Sequence, residues 1–245
     1  MRRLGQHFLV DSRGVGLFLE ALQDFEGHDL LEVGPGLGAL TLGAAKLARR
    51  LLAVEIDPGL AERLSRRLPR NAAVVVGDGA SFVLNTTSDV VFSNSPFYLT
   101  SRLVSAAARN NNVRAVIIGC QKEVAERLAA APGSDEYGRL SVLAQAFFNV
   151  SIRGYMPAEW FRPRPKVDAA LVVMTRRRPW GQAGETLEKI TRCLFSQRNK
   201  IASKVASRCL NKMIPPGWER RRVRELTPEE LLEVSSWLTQ ADGPA

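Results

Sequence analysis

Leu30-Leu31-Glu32-Val33-Gly34-Pro35-Gly36-Leu37-Gly38-Ala39 is the stretch on which the fold turns. An apolar run enters a glycine-rich turn, and a helical pattern, about Ala39–Arg49, leaves it. Strand, glycine turn and helix are the parts of a nucleotide crevice. Glycine lets backbone approach a ligand, and the helix that follows points its N–H groups at that ligand. Alone the signal is weak, because a plain tight turn needs glycines too. A dinucleotide fingerprint would likewise use Gly34, Gly36 and Ala39 with an acid about 20 residues on.

Working outward, further short apolar runs lie at Leu51–Glu55, Ala73–Val76, Asp89–Phe92 and Arg114–Gly119, after the first at Asp29–Val33. Helical patterns alternate with them at about Pro58–Leu68, Leu99–Ala108 and Lys122–Ala130. Such alternation predicts an open α/β sheet, mostly parallel, with helices on both faces. Val15, Phe18, Leu19, Leu22 and Phe25 recur at helical spacing and predict a helix ahead of the first strand. Leu140–Ile152 and Val167–Thr175 read as two late strands. The prolines of Phe161-Arg162-Pro163-Arg164-Pro165 join them into an antiparallel hairpin at the sheet edge. After Arg176 the β-runs stop. Thr186–Ser196, Lys200–Leu210 and a helix opened by the capping box at Thr227–Glu230 predict a small helical domain over 176–245, behind a sheet domain over 1–175.

Charge follows the same division. Residues 1–175 carry +3, 176–224 carry +11 and 225–245 carry −5 of the net +9. So dense a basic segment points to nucleic acid, whose phosphates neutralise it. Three cysteines without short spacing and two histidines exclude a thiolate or imidazole metal cluster, and no metal is expected. No apolar run reaches the roughly 18 residues of a membrane span. The expectation is a soluble, cytoplasmic monomer that contacts no membrane.

Polar residues stand at successive strand ends: Glu55 after the second, Asp78 after the third, Asn94 after the fourth. In a parallel sheet these ends share one crevice. A carboxylate at the second strand suits a ribose diol, and one at the third suits an adenine amino group. Asn94-Ser95-Pro96-Phe97 has no use in a nicotinamide enzyme. It does suit activation of an adenine amine, whose lone pair is delocalised into the ring. The Asn94 side-chain oxygen and the Ser95 carbonyl can accept its two N–H bonds and localise that pair. Pro96 fixes the turn, and Phe97 offers a stacking face. The matching electrophile is the sulfonium methyl of S-adenosylmethionine, so catalysis is mostly alignment.

With these residues in place, the chain resembles the small-subunit ribosomal RNA adenine dimethyltransferases (the KsgA type). The match is carried by Leu4–Leu9, Glu32–Gly38, Val54–Asp57, Gly77-Asp78, Asn94–Phe97 and Phe161–Asp168, supported by Gln121–Leu128 and Tyr137–Val142. The resemblance implies a Rossmann-like class I methyltransferase sheet with a helical C-terminal domain. It implies dimethylation, with S-adenosylmethionine, of two adjacent adenosines in the 3′-terminal hairpin of small-subunit rRNA, free or in a pre-small-subunit particle. By matching position, His7, Leu9 and Gly34 would line the methionine end of the cofactor. Glu55 would take the ribose, Asp78 the cofactor adenine, and Asn94 the cofactor edge and the target amine. Phe97 and Phe161 would cover the target base, and Arg198, Lys200 and Lys204 would grip RNA. Ser95 stands where the family usually has Leu or Ile, and His7 where it usually has Asn. The other readings are an adenine methyltransferase acting on large-subunit rRNA or DNA, and a non-catalytic ribosome-assembly factor.

Overall fold

A computed structural model describes residues 7–94, 97–210 and 214–241. In chain order its elements are β1 (Phe8–Leu9), α1 (Ser12–Gln23), β2 (Asp29–Val33), α2 (Thr41–Leu47), β3 (Arg50–Glu55), α3 (Pro58–Ser65), β4 (Ala72–Val76), α4 (Gly79–Asn85), β5 (Val90–Ser93), α5 (Thr100–Arg109), β6 (Ala115–Gln121), α6 (Lys122–Ala129), α7 (Arg139–Phe147), β7 (Phe148–Met156), β8 (Phe161–Arg162), β9 (Ala169–Arg176), α8 (Gln182–Leu194), α9 (Ala202–Cys209) and α10 (Pro228–Ala241).

The main sheet runs β4-β3-β2-β5-β6-β9-β7. Pairs β4/β3, β3/β2, β2/β5 and β5/β6 are parallel, and β9 returns antiparallel to β6 over Ala115–Gln121. Every residue of β2 and β5 is buried, which is why these strands read as unbroken apolar runs rather than alternating ones. Phe18 and Leu22 of α1 pack with Leu30, Phe92, Ile117 and Leu171 in the core. Strand order reverses at β2, which has β3 on one side and β5 on the other. A crevice is therefore dictated beyond the carboxyl end of β2.

Two acids at strand ends also start helices. Asp57 accepts from the N–H groups of Gly59 (2.8 Å) and Leu60 (3.1 Å) to cap α3, and Asp78 accepts from Ser81 N–H (3.0 Å) to cap α4. A small second sheet pairs β1 with β8, setting Phe8 opposite Arg162 and Leu9 opposite Phe161.

The late region departs from expectation. Leu140–Ile152 is not one strand: its first half is α7, and β7 begins at Phe148. Ser141, Val142, Leu143, Ala144, Ala146 and Phe147 are all buried, so the helix shows no polar face. An apolar run of that kind cannot be told from a buried strand by periodicity.

By its internal packing the chain forms two compact units. One compact unit holds residues up to Ala125 together with Val150–Arg176, and the other holds Glu126–Asn149 together with Arg177 onward. The second unit packs α10 on α8 and α7, and α9 on α8, around Tyr137, Leu187, Leu194, Val205, Trp218 and Leu231. Cys193 and Cys209 are joined by a disulfide with Cα atoms 5.8 Å apart. Cys120 is buried, and burial pushes its thiol up to about 12.

Candidate active site

The crevice beyond β2 is lined by His7, Phe8, Gly34, Gly36, Glu55, Ile56, Asp78, Asn94, Tyr98, Leu99 and Arg102, among others. Gly36 takes φ +55°, and a Cβ there would lie 2.8 Å from the Phe8 ring. The turn is thus open to glycine on two counts, backbone sign and space.

Glu55 ends β3 and is 2% exposed. Its Oε2 accepts from Gly36 N–H (2.9 Å) and its Oε1 from Asp57 N–H (3.0 Å). The carboxylate thereby braces the glycine turn while keeping lone pairs for a diol. Asp78 follows β4. Its Oδ1 accepts from Ser81 N–H and Ser81 Oγ (3.0 Å each), and Nη2 of Arg102 reaches both Oδ1 (3.1 Å) and Oδ2 (3.2 Å). The Ser81 amide, foremost, and the Arg102 guanidinium hold this carboxyl below its usual range.

Asn94 follows β5 and lines this crevice and also a second hollow with Phe8, Leu9, Glu32, Gly34 and Leu40. Its Oδ1 lies where a side chain on Gly119 would be: a Cβ there would fall 2.6 Å from it. His7 is held beside the crevice by donating from Nδ1 to the Pro163 carbonyl (2.7 Å).

Six of the sequence-predicted residues, His7, Gly34, Gly36, Glu55, Asp78 and Asn94, therefore converge on the crevice, and Leu9 lines the adjoining hollow. Ser95 and Pro96 lie outside the described residues. Phe97 begins a 3₁₀ turn, Phe97–Leu99, and its side chain is not described. Phe161 is a correction. It is 1% exposed, packed in the core on β8 opposite Leu9, and offers no open face to a base. In the helical unit Arg198 is half-buried, and its Nη1 donates to the carbonyls of Asp135 (2.9 Å) and Tyr137 (3.1 Å). That guanidinium is engaged by the unit's own backbone rather than displayed, whereas Lys200 and Lys204 are exposed.

Sequence reasoning missed Glu32, Ile56, Tyr98 and Arg102. Glu32 is 2% exposed, its Oε2 has no hydrogen-bond partner among the described residues, and burial, with the charge of Glu55 adding, pushes it up to about 8. A carboxylate inside an apolar strand was its available signal. Tyr98 is 59% exposed at the crevice. Its position directly after Phe97 was the available signal.

The family model for ribosomal RNA adenine dimethylase matches residues 1–242. The "Probable ribosomal RNA small subunit methyltransferase A" of Aeropyrum pernix is 44% identical over 80% of this chain and 72% of its own. Among solved structures, a dimethyladenosine transferase from Plasmodium falciparum superposes with a TM-score of 0.82 at 21% identity, covering 96% of this chain and 98% of that one. The 23S rRNA methyltransferase ErmE superposes at 0.67 with 25% identity, covering 95% and 100%.

Proposed function

Since the chain belongs to the ribosomal RNA adenine dimethylase family, we propose that it uses S-adenosylmethionine to place two methyls on each of two adjacent adenosines in the 3′-terminal hairpin of small-subunit rRNA. The observation that carries this reading is the position of Asn94, shared by the crevice at the strand ends and the hollow beside it. The cofactor supplies, when bound, a methyl on a sulfonium, an electrophile that needs no metal.

The residues present fit that group. Gly34 and Gly36 bring backbone close, Glu55 keeps lone pairs for the ribose hydroxyls, and Asp78 offers an ionised acceptor to an adenine amino group. Glu32 supplies the sharpest test of fit. A buried carboxyl oxygen without a partner is costly, and an ammonium in the hollow lined by Glu32, Leu9 and Gly34 would satisfy it and favour the ionised form of Glu32. His7 lines the crevice beside that hollow.

On the target side, Asn94 Oδ1 accepts one N–H of the adenine amine and the Ser95 carbonyl the other, drawing the nitrogen toward tetrahedral geometry. Phe97 stacks on the base, and Tyr98 extends the aromatic surface at the mouth. No strong base is required, because the methylated ammonium is acidic enough to lose its proton to water. Lys200 and Lys204 hold RNA through its phosphates, the substrate being the rRNA or the particle that contains it, in the cytoplasm.

The test is mass spectrometry of small-subunit rRNA fragments after incubation with protein and cofactor. Two adjacent adenosines each gaining two methyls is the expected result; a substrate left unmodified, free and in particles, defeats the reading. The whole-length likeness to a 23S rRNA methyltransferase favours large-subunit rRNA as the second reading. Primer extension along both rRNAs separates the two, because dimethylated adenine stops the polymerase.

A further inference from the structure

Arg102 is the one lysine or arginine among the described residues lining the crevice, and nothing in the chemistry above uses it. It projects from the first turn of α5, a helix packed on α4, toward the carboxylate that caps α4. The two oxygens of that carboxylate are unequally loaded. Asp78 Oδ1 takes Ser81 N–H, Ser81 Oγ and Arg102 Nη2, whereas Oδ2 takes only Nη2, at 3.2 Å. An ionised oxygen accepts about two donors, so Oδ2 has capacity that Oδ1 lacks. Half-exposed ion pairs contribute little to stability. With side-chain exposures of 53% and 36%, this one is poorly suited to holding the fold together. Its geometric consequence is larger: one nitrogen set across both oxygens, against two donors from Ser81, fixes the carboxylate plane.

We propose that Arg102 is a positioning residue for the adenine of the cofactor, acting through Asp78, whose Oδ2 it leaves oriented to accept a hydrogen bond from the purine 6-amino group. This rests on the reading of the crevice as an S-adenosylmethionine site. A purine carrying a 6-oxo group brings an acceptor to the same oxygen and is refused.

The experiment is calorimetric titration of the full chain with S-adenosylhomocysteine, and with its inosine analogue. Arg102→Ala weakens binding roughly tenfold, the low end for a charge-assisted hydrogen bond that is half exposed. Arg102→Lys restores it to within about threefold, because a single nitrogen makes the observed contact and Lys supplies one. In an Asp78→Asn background the Arg102→Ala change adds nothing, since a residue acting through another loses its effect with it. Arg102→Ala also narrows the preference for the adenine over the inosine compound, while thermal melting of the variant stays at that of the parent. Unchanged affinity in Arg102→Ala, an equal loss in the Asp78→Asn background, or a lowered melting temperature that accounts for the loss overturns the inference and leaves the cofactor site standing. Failure of the unaltered protein to bind either compound removes both.

Discussion

Glu32 and Arg198 are both ionisable side chains drawn at least partly out of water, one in each compact unit, and the fold treats them oppositely. Glu32 lies at the carboxyl end of a wholly buried strand, and one of its oxygens has no partner. Arg198 lies between helices and donates to two backbone carbonyls. Its neighbours behave alike: Arg221 pairs with Glu230, Arg224 with Asp135, and Arg222 donates to the Asn199 carbonyl. Buried polar groups ordinarily find partners within the protein. In the helical unit these guanidinium groups largely follow that rule and stitch loops to helices, although Nε of Arg139 and of Arg224 is buried without a partner among the described residues. The sheet unit departs from it at Glu32, in the hollow beside the crevice, where the missing partner is one that a ligand can bring. The dense positive charge of 176–224 is therefore two populations, one internal and structural, the other outward and available to phosphate.

The largest effect belongs to the crevice. Asn94→Ala removes an acceptor aimed at the reacting amine and lowers kcat on rRNA by about 10²–10³, with cofactor affinity within a few-fold and thermal melting unaltered. Stopped-assay turnover and a melt on the same sample check both halves. A large fall in melting temperature would instead make Asn94 a structural residue like Arg198.

In the helical unit, Cys193→Ser opens a disulfide that closes a 16-residue separation and lowers unfolding free energy by about 3 kcal/mol. Denaturant unfolding with and without reductant measures it, and reductant should have no further effect on the variant. Arg198→Ala leaves two carbonyls short of a charged donor and costs about 2 kcal/mol, with methyl transfer unchanged on a per-folded-molecule basis. Lys204→Ala gives the complementary result: an unaltered melt, and RNA affinity weakened with a salt slope shallower by about 1. If Arg198→Ala instead flattens the salt slope without lowering stability, the division into internal and outward charge fails.

The hollow beside the crevice carries the remaining effect, a pH slope. Glu32 in the folded protein sits at about 8 against an ordinary 4.5, so between those values the native state holds a proton that the unfolded chain has released. Its contribution to stability is complete below about 4.5, is lost progressively as pH rises toward about 8, and is level above. The difference in melting between wild type and Glu32→Gln should therefore shift with pH across that window. A difference that is flat from pH 5 to 8 would mean that the buried oxygen is already ionised.

Much of the fold was legible because parallel strands buried on both faces and glycine turns leave signals confined to a few adjacent residues. Glu55, Asp78 and Asn94 could be placed together because a parallel sheet forces its strand ends to one side. The same local logic failed at Leu140–Ile152, where α7 is buried almost all round, and at Phe161, where an aromatic beside prolines gives no sign of which way it faces. Arg102 was invisible for a related reason: 24 residues separate it from Asp78, and no periodicity links them.

The sequence by itself determined most of the alternation of strands and helices from Asp29 to Ala129, the glycine turn, the acids and amide at the strand ends and the segregation of charge, because each is written in contiguous residues. The tertiary structure alone decided that β1 pairs with β8, that Cys193 meets Cys209, that residues 126–149 pack with the C-terminal helices, and that Arg198 turns inward while Arg102 reaches Asp78. Those outcomes depend on distances between segments remote in the chain. Such distances are set by how the whole set of apolar faces packs, and no single stretch of residues encodes that.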